Sequence, residues 1–110
     1  MQDDKRKHSR FPIHQAIEIS LGREDFFNAR GINVSEGGML FETEFELALQ
    51  ARIYLFFQIT VGAEVRDVEA EGIVRHLHKT GSLYQVGVEF YDLLPENREL
   101  LASYGTGRTQ

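Results

Sequence analysis

Two clusters in the 110-residue chain carry side chains suited to holding an anion or a purine. The first is Arg6 and Arg10, four residues apart in Lys5-Arg6-Lys7-His8-Ser9-Arg10. A guanidinium is a planar fork of fixed donors. It bonds to phosphate oxygens or to a guanine edge at two points and stacks on a purine face. The second is Gly31-Ile32-Asn33-Val34-Ser35-Glu36-Gly37-Gly38-Met39-Leu40, where Asn33 offers an amide, Ser35 a hydroxyl, and Gly37 and Gly38 a bare backbone. Asn33 and Ser35, one residue apart, face the same way on an extended chain. The glycine pair then lets the backbone turn sharply and lets a flat or phosphorylated molecule come close. Taken alone, each cluster has a plainer reading: an Asn/Ser/Gly hairpin loop, and a solvated basic tail.

Together they are more specific. Arg6-x-x-x-Arg10, then about twenty residues, then Asn33-x-Ser35-x-x-Gly38 resembles the PilZ domain, a bacterial receptor module for the second messenger cyclic di-GMP. That family's pattern is Arg-x-x-x-Arg followed by Asp/Asn-x-Ser-x-x-Gly. Gly87-Val88-Glu89-Phe90 and the stretch from Leu93 to Tyr104 are similar to the end of the domain, so the resemblance covers nearly the whole chain. It implies a six-stranded antiparallel β-barrel with a flanking helix, cyclic di-GMP as ligand, and Arg6, Arg10, Asn33, Ser35 and Gly38 as the residues that hold it. Gly37 would permit close approach beside them. Asn33 stands where many relatives have aspartate, which keeps an acceptor and gives up a charge. Lys5 precedes the first arginine, a position that in the family influences how many nucleotides bind. Lys5 and Lys7 are candidates for phosphate contact, with solvated tail charge as the plainer reading. The family often carries a glycine where this chain reads Leu49-Gln50. Relatives without the arginines act as protein adaptors without nucleotide, which is the alternative function.

Composition bounds the rest. A chain of this length with 42% hydrophobic residues supports one small core and one domain. There are no cysteines, so thiolate metal sites, disulfides and cysteine nucleophiles are excluded. The net charge is −5, yet Lys5, Arg6, Lys7 and Arg10 outweigh Asp3 and Asp4 in the first ten residues, leaving −7 for the remainder. So acidic a body suits neither long nucleic acid nor polyanions, whose binding needs many neutralised phosphates. A small anion with two phosphates needs only two or three well-placed cations. The longest apolar run, Ile53 to Phe57, is far short of the ~20 residues that span a bilayer, so no membrane insertion is expected and the reading is a cytoplasmic protein. Ser35 lies outside a Gly-x-Ser-x-Gly elbow and no phosphate-loop lysine follows the glycines, so neither acyl transfer nor nucleotide hydrolysis is indicated. A non-enzyme is expected, without metal or cofactor, acting through an unidentified downstream protein.

The elements that must position these groups follow from period-two patterns. Residues 1–10 lack apolar periodicity and read as a flexible arm; residues 11–110 read as the barrel with its helix. Ile13, Ile17, Ile19 and Leu21 share one face of a first strand, with Ala16, Glu18 and Ser20 opposite. Further strands are expected from Phe26 to Asn33, from Gly38 to Glu42, along Ile53 to Ile59, along Val68 to Val74, and along Tyr84 to Phe90, with turns at Leu21-Gly22-Arg23-Glu24, Thr60-Val61-Gly62-Ala63 and Lys79-Thr80-Gly81-Ser82. Thr43 to Gln50 fits a loop or a short strand. Pro95 suits the start of a helix, Leu100, Leu101 and Tyr104 fall on one side, and Gly105 is placed to end it. His76 and His78 face one side of a strand, a possible start of a metal site but with no clear third ligand. In phase with Val74, His76 would cap the core, or it would offer a ring for guanine stacking. His8, inside the arginine motif, could touch phosphate when protonated, with an exposed side chain as the plainer reading.

Overall fold

Burial along the strands keeps the two-residue period of the sequence, and that period closes the chain on itself. The computed structural model describes residues 11–21, 26–61 and 63–108. Six strands, β1 (Phe11–Ser20), β2 (Phe26–Val34), β3 (Gly38–Thr43), β4 (Arg52–Val61), β5 (Glu64–Thr80) and β6 (Leu83–Leu93), precede one helix, α1 (Pro95–Arg108). All neighbours pair antiparallel, and the sheet closes in the order β1-β2-β3-β6-β5-β4. Closure into a barrel leaves few free strand edges. Met39, Phe41, Ile53, Leu55, Val74 and Val86 are wholly enclosed and fill the interior. Each such side chain stabilises the fold by about 1.5–3 kcal/mol relative to exposure.

The helix begins at Pro95, whose missing N–H costs nothing in a first turn. Its Leu101 is buried and Leu100 packs half-buried against the same core, which supplies the stability so short a helix lacks in water. Gly105 does not end it. The helix continues to Arg108, because a glycine weakens a helix interior by about 1 kcal/mol without removing a backbone donor. Between β3 and β4 the chain forms a loop rather than a strand, anchored by buried Leu47 and by the Phe27 and Phe45 rings at 5.0 Å.

β1 and β5 depart from the expected alternation at particular residues. In β1, Ile17 and Ile19 are buried as expected, but Leu21 is 45% exposed and Ser20, on the expected outer face, is enclosed. Leu21 lies beyond the last paired residue. Ser20 is covered because its cross-strand partners on that face are the large rings of Phe26 and Tyr54. In β5 the register slips between Val74 and His76. The extra residue turns His76 outward, so it is exposed rather than capping the core, and Leu77 takes the inward position.

Gln50 shows how the chain manages without a glycine before β4. It adopts φ 71°, a left-handed conformation unfavourable for any residue with a Cβ. Its N–H donates to the Val74 carbonyl at 2.8 Å, and its Oε1 accepts from Arg75 Nη1 at 2.9 Å. The turn is therefore held in place by β5 despite the strain. Gln50→Gly is expected to raise unfolding stability by about 1 kcal/mol, since the exposed Arg75 bond it gives up is worth less than the strain. Urea denaturation measures the change.

Candidate ligand-binding site

Strand register carries Asn33 to the point where the leader joins the barrel. Phe11 pairs with Val34, and Pro12 with Asn33. Arg10 is bonded to Phe11, and Arg6 lies five residues from Phe11, within a reach of about 17 Å. Arg6 and Arg10, with Lys5, Lys7 and His8, lie outside the described residues, as do the rest of the arm, Gly22, Arg23 and Glu24 of the first expected turn, and Gly62 of the second.

The β2–β3 corner is built by its own side chains. Ser35 N–H donates to the Gly38 carbonyl at 2.9 Å, and Ser35 Oγ accepts from Gly37 N–H at 3.1 Å. Phe90 N–H donates to the Gly37 carbonyl at 2.9 Å, tying the corner to β6. Ser35 is only 2% exposed. Its hydroxyl shapes the turn. Neither glycine uses the left-handed backbone, which among the described residues belongs to Gln50 and Gly81. At Gly38 a Cβ would sit 2.1 Å from the Val88 carbonyl oxygen, so the bare backbone there serves the approach of β3 to β6. Ser35→Ala is expected to lower stability by about 1 kcal/mol, the usual worth of one such bond, in a urea titration.

Asn33 is the group the corner presents outward, between buried Val34 and the bulge that separates it from Gly31. Successive cross-strand partners run Pro12, Asn33, Leu40, Gly87, His76 across β1, β2, β3, β6 and β5. With strands about 4.8 Å apart, Asn33 and His76 stand about 14 Å apart along the outer surface. Between them lie half-buried Leu40 and the bare backbone of Gly87, over which the His76 side chain leans: a Cβ at Gly87 would meet its Cβ and Cδ2 at 3.2 Å. A planar base laid along this row would find an amide at one end, a ring at the other and an apolar floor. Arg30, on the same outer face, holds Glu42 at 3.5 Å and is 60% exposed. Sequence reasoning missed it. No motif marks Arg30, and only its outward phase between Ala29 and Gly31 could have pointed to it.

Among the described residues no three His, Cys, Asp or Glu side chains gather to hold a metal ion, and His76 and His78 are both exposed. No helix among them is long and apolar enough to cross a membrane. On another part of the surface, Tyr91 O–H donates to Glu71 Oε1 at 2.9 Å. That bond, with some desolvation and the Glu71 charge, holds the Tyr91 phenol above its usual 10.0. The folded chain favours the protonated ring. Any stabilisation is therefore present below pH 10 and lost as pH rises through the folded value. Tyr91 is expected to ionise later in an ultraviolet titration than in the Glu71→Gln variant.

A small closed six-stranded antiparallel barrel, with a hydrogen-bonded polar corner between β2 and β3 beside the start of β1, is the class of fold these residues define. The family profile described as PilZ domain matches residues 4–105, and the chain belongs to that family of receptor and adaptor domains. The fold is shared with Bacillus subtilis inhibitor of motility (MotI/DgrA), at TM-score 0.85 and 17% identity over 94% of this chain and 51% of that one. It is also shared with K. pneumonia MrkH in its c-di-GMP complex, at TM-score 0.60 and 14% identity over 96% and 55%. The apo form of MrkH gives TM-score 0.59 and 13% identity over 93% and 53%. The chain thus spans about half the length of these neighbours. No curated protein matches it.

Proposed function

We propose that the chain is a cyclic di-GMP receptor in which an arm, residues 1–10, closes onto a barrel, residues 11–110, over the nucleotide. Arg6 and Arg10 bond bidentately to guanine edges or phosphate oxygens and stack on the bases. Asn33 bonds to guanine N–H groups from the barrel side. Ser35, Gly37 and Gly38 keep that corner in shape and open to approach, Lys5 and Lys7 add phosphate contacts, and His76 offers a ring at the far end of the row. The single observation that carries this reading is the pairing of Phe11, the residue that follows Arg10, with Val34 beside the corner. The family match and the fold shared with a c-di-GMP complex of MrkH support it.

The receptor works in the cytoplasm and without chemistry. Ordering the arm over the nucleotide changes the surface offered to a downstream protein, and the ligand shifts that equilibrium only by its differential affinity for the two arrangements. Isothermal titration with cyclic di-GMP tests this. Heat from the unaltered chain, diminished in Arg6→Ala and Arg10→Ala, is the expected result. Silence at concentrations on the order of tens of micromolar would make the barrel a nucleotide-independent adaptor instead.

A further inference from the structure

The barrel has a second built surface, and its chemistry is the opposite of the nucleotide row. Among the described residues β1 pairs with β4 at Glu18↔Phe56, Ile19↔Leu55 and Ser20↔Tyr54, whereas β4 pairs with β5 along its whole length. Beyond Phe56 the two strands part. The Gln15 side chain bridges the opening by donating from Nε2 to the Gln58 carbonyl. A groove of about 520 Å³ lies in this opening and adjoins one of about 200 Å³ that runs past Tyr54 to Leu94; the two share Phe56 and Glu69.

The groove has an apolar floor and an anionic rim. Phe56 lines both parts, Ile17, Phe57 and Val68 line the first, and Tyr54 and Leu94, 40% and 53% exposed, line the second; Phe26 stands beside Phe56 at 6.2 Å, outside the lining. Glu18, Asp67, Glu69, Glu71 and Asp92 line the two parts, and among the described residues no lysine, arginine or histidine does. Glu18 and Glu69 have no ion-pair partner among the described residues. Five carboxylates with no cation among the described lining residues repel a phosphodiester, and they repel the same face of a second copy. An unpaired strand edge takes an extended chain, whose alternate side chains would reach the aromatic floor and the acidic rim.

We infer that this groove along β4 docks an extended, lysine- or arginine-rich segment of a partner protein, with apolar side chains alternating between its cations. β4 lies three strands from β3 in either direction around the barrel, so such a segment leaves the Asn33 corner free. β1 belongs to both places: its start carries the arginine leader and its middle lines the groove. The docking itself needs no nucleotide.

The test titrates the full chain with a synthetic peptide of ~8 residues, a usual strand length, alternating lysine with leucine and valine, and with its glutamate counterpart, followed by backbone amide resonances. The lysine peptide is expected to move the amides of residues 57–61 and 67–69 while the glutamate peptide leaves them in place. Glu18→Lys combined with Glu69→Lys should weaken the lysine peptide about tenfold, as loss and reversal of exposed charge pairs does, and leave cyclic di-GMP affinity unchanged. Indifference to peptide charge, or shifts confined to other strands, overturns the inference. So does a doubled mass in light scattering that Phe56→Ala reverses, which would seat a second copy there. Movement of these amides on Lys5→Ala with Lys7→Ala, before any peptide is added, would seat the chain's own leader and overturn it likewise. Peptide docking in a chain that gives no heat with cyclic di-GMP would uphold the groove and refute the receptor reading separately.

Discussion

Replacing Arg10 with alanine is expected to weaken cyclic di-GMP binding by ten- to a hundredfold or more while leaving the thermal melt unchanged. One charge-assisted hydrogen bond is worth about 1.5–3 kcal/mol, and each 1.4 kcal/mol is a factor of ten in affinity. A guanidinium that both bonds and stacks loses both contributions at once. Arg6→Ala should act in the same direction. Lysine at either position should rescue little, because an ammonium keeps the charge and gives up the planar fork. Titration calorimetry on each variant, with a melt on the same sample, separates a lost contact from a lost fold. Binding by both alanine variants equal to that of the unaltered chain would leave the leader without its proposed role.

Gly38→Ala should also abolish binding, but by a different route. The added methyl would lie 2.1 Å from the Val88 carbonyl oxygen; that oxygen belongs to the paired backbone of β6, and the methyl is fixed directly to the paired backbone of β3. No side chain can swing away to relieve the clash. Overpacking of this kind costs about 3 kcal/mol. In a domain of this size that lowers the melting temperature by roughly 10 °C or more. The corner at Ser35 and Gly37 is tied to the same β6 segment through Phe90 N–H, so it should lose its shape with the strand pair. Gly81→Ala is the control: it takes φ 63° in the β5–β6 turn with nothing near its Cβ, so only left-handed strain of about 1–2 kcal/mol is added. A glycine shared by a ligand motif thus fails in the melt before it fails in the titration. An unchanged melt with lost binding would instead assign Gly38 to ligand contact.

Much of the barrel was legible in the letters. The alternation of Ile53 to Ile59 and of Tyr84 to Phe90 marks strands whose inward residues are the buried ones, because one face of each meets a dry interior. Gly81 identified its hairpin for the same reason it occupies it. What escaped is what depends on pairing between distant segments. A bulge adds one residue to β5 with no mark in composition, so the phase of His76 reversed. Ser20 is covered by neighbours that its own strand does not contain. The motif at Asn33 to Gly38 was found as a ligand pattern, yet the enclosed Ser35 hydroxyl and the contact of Gly38 with Val88 are matters of register between β3 and β6. The row from Asn33 to His76, and Arg30 beside it, exist only once four strands are laid side by side.

The claim on which the rest depends is that the arginine leader and the Asn33 corner share a single pocket for cyclic di-GMP. The most direct measurement follows backbone amides during a cyclic di-GMP titration, in the unaltered chain and in a chain carrying both Arg6→Ala and Arg10→Ala. The account predicts that amides from Asn33 to Gly38 and of Leu40, Gly87 and His76 move together in the first and stay still in the second. Saturable shifts that spare residues 33–38 and gather on β4 and β5 would contradict it.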